Sequence, residues 1–421
     1  MGGVYLPKGP MPIVVQKFGG TSVADAQKIR RAAARAADTF NQGNQVVVVA
    51  SARGKQTDQL VADALELNPN PPKREMDMLL STGEQQTVSL MAMALDAMGH
   101  KAISFTGSQI RMLTDDAHSK ARIKSIGADR IRKKLDTGHI VIVAGFQGMD
   151  ENGNITTLGR GGSDTSAVAL AAALKADLCE IYTDIDGIYT TDPKIFPNAV
   201  KMDRISYDEM LELASLGAGI MHARAIEFGK KFNVTIHVRS SMEDKPGTLI
   251  THEAPEMEGI LVSGATIQKD LAQIGLIGVD NLTGNAAKIF AHLAGAQVVV
   301  YDIIQVEISK EKANLSFTVA KSDLSDARRA IDEIKEQVHC QSVFVRDDIA
   351  QISVVGVGMR SHYGVANILF KALAEAKVNI DSITTSEIRI SCIVEEDHGE
   401  RALTAVCEAF ELDKPANQRC K

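Results

Sequence analysis

Up to about residue 250, short apolar runs alternate with long, alanine-rich amphipathic segments. The runs Ile13–Gln16, Val46–Ala50, Ala102–Phe105, Ile140–Ala144, Glu180–Thr183 and Thr235–Val238 have the length and β-branched content of strands. The stretches between them, such as the helix expected over Val23 to Thr39, are long enough to cross over between parallel strands. An α/β sandwich is therefore expected. Asn152-Gly153, between Phe146–Met149 and Ile155–Thr157, signals a hairpin, so part of that sheet should be antiparallel. From Ser240 to Gly259 the pattern breaks, with Pro246, Gly247, Pro255 and several acids, and a domain boundary is expected there.

Beyond that boundary the chain repeats itself. Ala272–Val279 (AQIGLIGV) resembles Ala350–Val357 (AQISVVGV), Ala286–Phe290 resembles Val365–Leu369, and Ala294–Val298 resembles Ala374–Val378. The offset grows only from 78 to 80 residues, so each unit is a small domain and not a solenoid repeat. Each reads strand–helix–strand–strand–helix, a ferredoxin-like order. Two copies with few catalytic-looking groups suggest ligand sensing, or else simple dimerisation.

Composition narrows the function classes. The 421 residues exceed one ordinary core, and 45% hydrophobic with 24% charged residues is the balance of a soluble globular protein. A net charge of −7 without a Lys/Arg block argues against nucleic-acid or anionic-membrane partners. No stretch approaches the ~18 apolar residues of a membrane span. Cys179, Cys340, Cys392, Cys407 and Cys420 are scattered without a Cys-x-x-Cys, which suggests reduced thiols in a cytoplasmic protein and no zinc site.

Two glycine-rich turns carry the candidate chemistry. Lys17-Phe18-Gly19-Gly20-Thr21-Ser22 follows the first strand, and Leu158-Gly159-Arg160-Gly161-Gly162-Ser163-Asp164-Thr165 precedes the helical run Ala167 to Lys175. Each joins an open backbone, a cation and hydroxyls suited to capping a helix whose positive end favours an anion. One such turn is weak evidence; two at strand–helix junctions point to a nucleotide's phosphate chain. No Gly-x-x-x-x-Gly-Lys-[Ser/Thr] occurs, and Gly356-Val357-Gly358-Met359-Arg360-Ser361 lacks the third glycine of a dinucleotide fingerprint.

Taken in order with Ser81-Thr82-Gly83-Glu84, Tyr182-Thr183-Asp184-Ile185-Asp186-Gly187-Ile188-Tyr189 and Pro246-Gly247-Thr248, these turns resemble the aspartate kinase family. The repeat, with Ser386-Glu387-Ile388, resembles that family's paired ACT domains. The resemblance covers nearly the whole chain. It implies an amino-acid-kinase domain over residues 1–250, a three-layer α/β/α sandwich with a mainly parallel sheet. A linker at 251–262 and two ferredoxin-like βαββαβ domains, 263–345 and 346–421, would follow. The implied reaction is ATP-dependent phosphorylation of the L-aspartate side-chain carboxylate, in the path to lysine, threonine and methionine.

The same resemblance distributes roles. Lys17 and Asp164 are the catalytic pair, and Asp164 can also serve as a helix N-cap. Ser51, Thr57, Glu84, Arg160, Gly161, Gly162 and Ser163 match aspartate-binding positions, Glu84 holding the amino end and Arg160 the α-carboxylate. Taken alone, Glu84 is a first-turn helix acid. Lys17, Phe18, Gly19, Gly20, Thr21, Thr183, Asp184, Tyr189, Lys194, Gly219 and Ile220 match the ATP site. Magnesium should arrive with ATP, because no protein cage is evident; Asp186-Gly187 reads as a turn and not a calcium loop. Asp280, Gln305, Thr384, Thr385 and Glu387 match an effector site for lysine and/or threonine, and ACT pairing implies a homo-oligomer.

The chain departs from the family pattern in four places. Gly219 replaces a usual Lys, Arg53 a common Met, Asn281-Leu282-Thr283-Gly284 lacks the Pro before Gly, and Tyr301 and Val306 replace an Asp and an Asn around Gln305. Two other readings stay open: a related kinase for another acidic substrate, and a non-catalytic amino-acid sensor, which Gly219 favours.

Overall fold

All six expected strands form, within two residues of their expected ends: Ile13–Phe18, Gln45–Ala50, Ala102–Phe105, Ile140–Ala144, Leu178–Thr183 and Ile236–Ser240. The computed structural model describes residues 11–217, 219, 221–252, 262–360 and 363–419. These divide into two units, the first of residues 11–188, 201–214, 219 and 221–252, and the second of the remainder.

In the first unit an eight-stranded sheet runs Arg204–Ser206, Thr248–Thr251, Ile236–Ser240, Leu178–Thr183, Ile13–Phe18, Gln45–Ala50, Ile140–Ala144, Ala102–Phe105. Side chains alternate across Ile13–Phe18. Phe18 therefore joins Val46, Val48, Ile142, Met91 and Leu95 in the core under the helices Ala26–Asn41 and Lys73–Ala97. Burying each such side chain is worth roughly 1.5–3 kcal/mol. Lys17 faces the other side, against the almost wholly buried helix Gly162–Leu174.

The antiparallel component differs from expectation. The Asn152-Gly153 hairpin does form, pairing Gln147–Met149 with Ile155–Thr157, but in a separate four-stranded sheet with Met112–Thr114 and Ile123–Ile126. In the main sheet the antiparallel neighbours are Ile236–Ser240 and Thr248–Thr251. A hairpin signal fixes a turn, and burial of its flanks decides which sheet it joins.

The second unit has one six-stranded sheet, ordered Val300–Glu307, Lys312–Ala320, Gly264–Asp280, Ser342–Val355, Arg389–Glu395, Ser382–Thr385. Helices Asn285–Gly295, Leu324–Ile334, Val365–Glu375 and Gly399–Ala409 complete the expected order in both repeats. The expected division at 345/346 falls inside a strand that serves both. Residues 264–268 pair with 351–355, and Ala265 lies in the second repeat's core with Ile352, Leu369 and Leu403. Residues 273–277 pair with 342–346, and Ile274 and Leu276 lie in the first repeat's core with Phe317 and Ile331. The first repeat is thus inserted between two strands of the second.

Residues 189–200, expected within the 1–250 domain, pack in the second unit, where Phe196 enters the core and Thr190 Oγ1 donates to the Leu412 carbonyl at 2.8 Å. Of the expected linker at 251–262, residues 253–261 lie outside the described residues. Among the described residues no helix is long and apolar enough to cross a membrane. Cys179, Cys392 and Cys407 are buried thiols and Cys340 a half-buried one; Cys420 lies outside the described residues.

Candidate active site

The parallel strands Ile13–Phe18, Gln45–Ala50, Ile140–Ala144 and Leu178–Thr183 all end on one edge of the sheet, where open α/β sheets bind ligands. Phe18 stacks on Tyr182 across that edge with ring centroids 4.8 Å apart, and its carbonyl accepts from the Ser51 amide at 3.1 Å. The chain then turns through a single 3-10 turn, Gly20–Val23, closed by the Ser22 amide on the Gly19 carbonyl at 2.9 Å. The expected capping by Thr21 or Ser22 does not occur. The helix begins later, at Ala26, and Asp25 caps it by accepting from the Lys28 amide at 2.9 Å. Gly20 must lack a side chain because a Cβ there would stand 2.9 Å from the Ala52 carbonyl oxygen.

Lys17 Nζ lies 2.6 Å from Asp164 Oδ1, and both side chains are largely buried. The two charges form a close ion pair. Asp164 stands in the first turn of Gly162–Leu174, whose N-cap is Gly161 with no side-chain cap bond. Asp164 is therefore a partner of Lys17 and not a cap. Gly161 has φ +64°, and a Cβ there would overlap His222. The first amides of this helix have no intrahelical acceptor and are open to an anion beside Lys17.

Glu84 is buried at 3% exposure in the helix Lys73–Ala97. Its Oε1 accepts from the Ala52 amide at 3.1 Å, while Oε2 is buried without a partner. Burial pushes its carboxyl up to about 7, with the Ala52 amide opposing the shift. A buried carboxylate with no cation beside it among the described residues, bonded to the Ala52 whose carbonyl meets Gly20, is suited to an ammonium group. Ser51 and Thr57 are half-buried in the same loop and the first turn of Gln56–Leu67. Arg160 is exposed on the second glycine turn, and Ser163 is half-buried beside Asp164. Arg53 donates from Nη2 to the Ala24 carbonyl at 3.4 Å, so this departure ties the loop to the turn before the first helix.

Thr183 continues the edge, its hydroxyl donating to Asp184 at 3.0 Å and its carbonyl accepting from the Ser241 amide at 2.7 Å. Tyr189 and Lys194 belong to the second unit, Lys194 being exposed with its amide on Asp192 Oδ1 at 2.9 Å. Gly219 has φ +59°; Ile220 lies outside the described residues. The Asp186-Gly187 turn is held by Lys201, whose Nζ lies 3.2 Å from Asp186 Oδ2. Among the described residues no group of three or more His, Cys, Asp or Glu could cage a metal ion.

The effector candidates occupy separate settings in the second unit. Asp280 is engaged by Lys312 at 2.8 Å and His339 at 2.6 Å, which hold its carboxyl below the usual range. The Thr384 hydroxyl donates to the buried Asp302 at 3.1 Å. Gln305, Thr385 and Glu387 are exposed, as are Tyr301 and Val306 on the edge strand Val300–Glu307.

The sequence reading missed Arg224, His222 and Asp77. Arg224 donates to the Leu158 carbonyl at 2.9 Å and the Ala121 carbonyl at 2.8 Å, and so pins the second glycine turn. No local pattern marks them, since each resembles an ordinary charge on an amphipathic helix.

Comparison with known proteins shows the family. Residues 12–240 match the amino acid kinase family and residues 352–410 an ACT domain. An aspartate kinase of Pseudomonas fluorescens SBW25 is 47% identical over 97% of this chain and 100% of its own. The chain belongs to the aspartate kinase family. An aspartokinase of Bacillus sp. MGA3 is 47% identical over 96% of the chain and 99% of its own. Aspartokinase III of E. coli, solved with aspartate and ADP, superposes with a TM-score of 0.80 at 26% identity, over 95% of this chain and 100% of that one. Like these aspartate kinases, the chain joins an α/β kinase domain to an ACT pair.

Proposed function

We propose that the crevice at the strand ends transfers the γ-phosphoryl group of ATP to the side-chain carboxylate of L-aspartate, giving 4-phospho-L-aspartate and ADP. Glu84 carries this reading: a buried carboxylate oxygen without a partner stands ready for the substrate's α-ammonium, its other oxygen bonded to Ala52, which lies against the first glycine turn. Arg160 takes the α-carboxylate through its planar fork, and Ser51, Thr57 and the Gly161–Ser163 backbone complete the amino-acid side. Phe18, Gly19, Gly20, Thr21, Thr183, Asp184 and Gly219 form the nucleotide side by family resemblance.

The substrate carboxylate, with an ordinary pKa near ~3.9, is ionised at neutral pH and needs no base. Its oxygen attacks the γ-phosphorus, the bond to the bridging oxygen of ADP breaks, and no proton moves. Catalysis then consists of alignment and charge stabilisation. Lys17 neutralises charge on the phosphoryl group in transit, and Asp164 fixes Lys17 for that task. Magnesium accompanies the nucleotide, bound by phosphate oxygens and water.

The ACT pair supports feedback control by lysine and/or threonine and assembly of a homo-oligomer, and the free thiols suit a cytoplasmic protein. Hydroxylamine trapping of the acyl phosphate, with ATP and a panel of amino acids, tests the activity. Signal with aspartate alone is expected; signal with another acid would give a different substrate, and silence would leave a sensor. Unchanged turnover with millimolar lysine and threonine would overturn the feedback reading.

A further inference from the structure

Behind the second glycine turn lies a carboxylate that the chemistry above does not use. Asp77, on the helix Lys73–Ala97, is fully buried. Its Oδ1 accepts from the Thr157 hydroxyl at 2.6 Å and the Ser119 amide at 3.1 Å. Its Oδ2 lies 3.1 Å from the same amide and 2.8 Å from His118 Nδ1. Ser119 is left-handed, with φ +70°, a conformation that a non-glycine residue keeps only when its surroundings impose it. The Ser119 carbonyl presses on Gly159, where a Cβ would stand 2.9 Å away. The Ala121 amide donates to the Thr157 carbonyl at 2.9 Å, and Arg224 bridges the Ala121 and Leu158 carbonyls.

Thr157, Leu158 and Gly159 are therefore held from both sides, and the next residue is Arg160. The Arg160 side chain is exposed, and no ion pair holds it among the described residues. The backbone fixes the point from which that side chain reaches out, and that backbone is anchored on Asp77 through Thr157 and Ser119.

We infer that Asp77, acting through Thr157 and Ser119, is a positioning residue that aims Arg160 at the α-carboxylate of the amino-acid substrate. This rests on the reading of Arg160 as the carboxylate anchor. A clamp on Arg160 affects binding of the amino acid and not of the nucleotide, whereas general loosening of the fold would affect both.

The test is steady-state kinetics of Asp77→Ala, Thr157→Val and Arg160→Ala in the full chain, alone and combined. Asp77→Ala should raise KM for aspartate at least tenfold and Thr157→Val about threefold. KM for ATP and kcat should stay within two- to threefold. Combined with Arg160→Ala, neither should add a further loss, because both act through one side chain. Multiplying losses, or equal rises in both KM values, would overturn the inference. If Asp77→Ala fails to fold, Thr157→Val and its double variant decide. An Arg160→Ala effect without one from Thr157→Val or Asp77→Ala defeats the inference alone; no effect from Arg160→Ala defeats the anchor reading with it.

Discussion

Two sets of charged side chains share the first unit, and they are satisfied in opposite ways. At the strand ends, Glu84 has an oxygen with no partner, Lys17 has Asp164 as its one ion-pair partner among the described residues, and the exposed Arg160 has no ion pair among them. Behind them, Asp77 and Arg224 are engaged by backbone groups and side chains on both sides. Glu84 and Asp77 even share one face of one helix, seven residues and about 10 Å apart. A buried polar group left unsatisfied is costly, so where a fold keeps one, a ligand is the natural complement. A fully engaged one serves to hold backbone in place.

Substitution should separate the two sets. The largest effect is expected from Lys17→Met, which should lower kcat about a thousandfold or more while the melting temperature stays within a few degrees. Unfolding in the same variant, or near-normal turnover, would place Lys17 in the holding set. Asp302 extends the contrast to the second unit, where it is buried against Gln351 at 2.9 Å, Thr384 at 3.1 Å and Arg389 at 3.2 Å. Asp302→Ala should destabilise by about 3 kcal/mol in denaturant titration and leave basal turnover within twofold. Such a variant with unchanged stability would break the parallel.

Glu84→Gln should raise KM for aspartate about a hundredfold. In the wild type, kcat/KM for aspartate should fall as the pH drops through about 7, because only the ionised Glu84 attracts the ammonium. The glutamine variant should lack that limb. The sign for stability is the reverse. A carboxyl whose pKa is raised in the folded state loses stability as pH rises from the unfolded value through about 7. At pH 8, Glu84→Gln should therefore stabilise the ligand-free protein, by up to roughly 3 kcal/mol. Loss of stability there would mean that Oε2 has a structural partner. The smallest effect is expected from Arg224→Met, which leaves the Leu158 and Ala121 carbonyls to water and should cost about 2 kcal/mol in a thermal melt, with kcat reduced less than tenfold.

Legibility followed the range of the signal. The buried strands could be read because parallel strands are apolar on both faces, and the glycine turns because few residue types fit so open a backbone. Glu84 and Arg160 drew notice through family resemblance, since spacing alone makes Glu84 a helix acid. The helix starts at Ala26, later than the sequence suggests, because Thr21 and Ser22 are as suited to capping as Asp25 but lie within the 3-10 turn Gly20–Val23, which meets Ala52 and Gly54. The interleaved repeats were invisible to a repeat comparison. Similarity shows that two units share an order of elements, and it is silent on whose edge each long strand joins.

By itself the sequence determined the run of strands and helices, the two glycine-rich turns and the duplicated second half, all of which rest on local backbone preference and periodic burial. Tertiary structure alone decided which hairpin enters which sheet, how strands 264–280 and 342–355 are shared, and that Asp164 faces Lys17. It also decided which buried carboxylate is engaged and which is left open. Those outcomes depend on the desolvation and pairing of groups far apart along the chain, such as Asp77 with Thr157, and no local pattern encodes them.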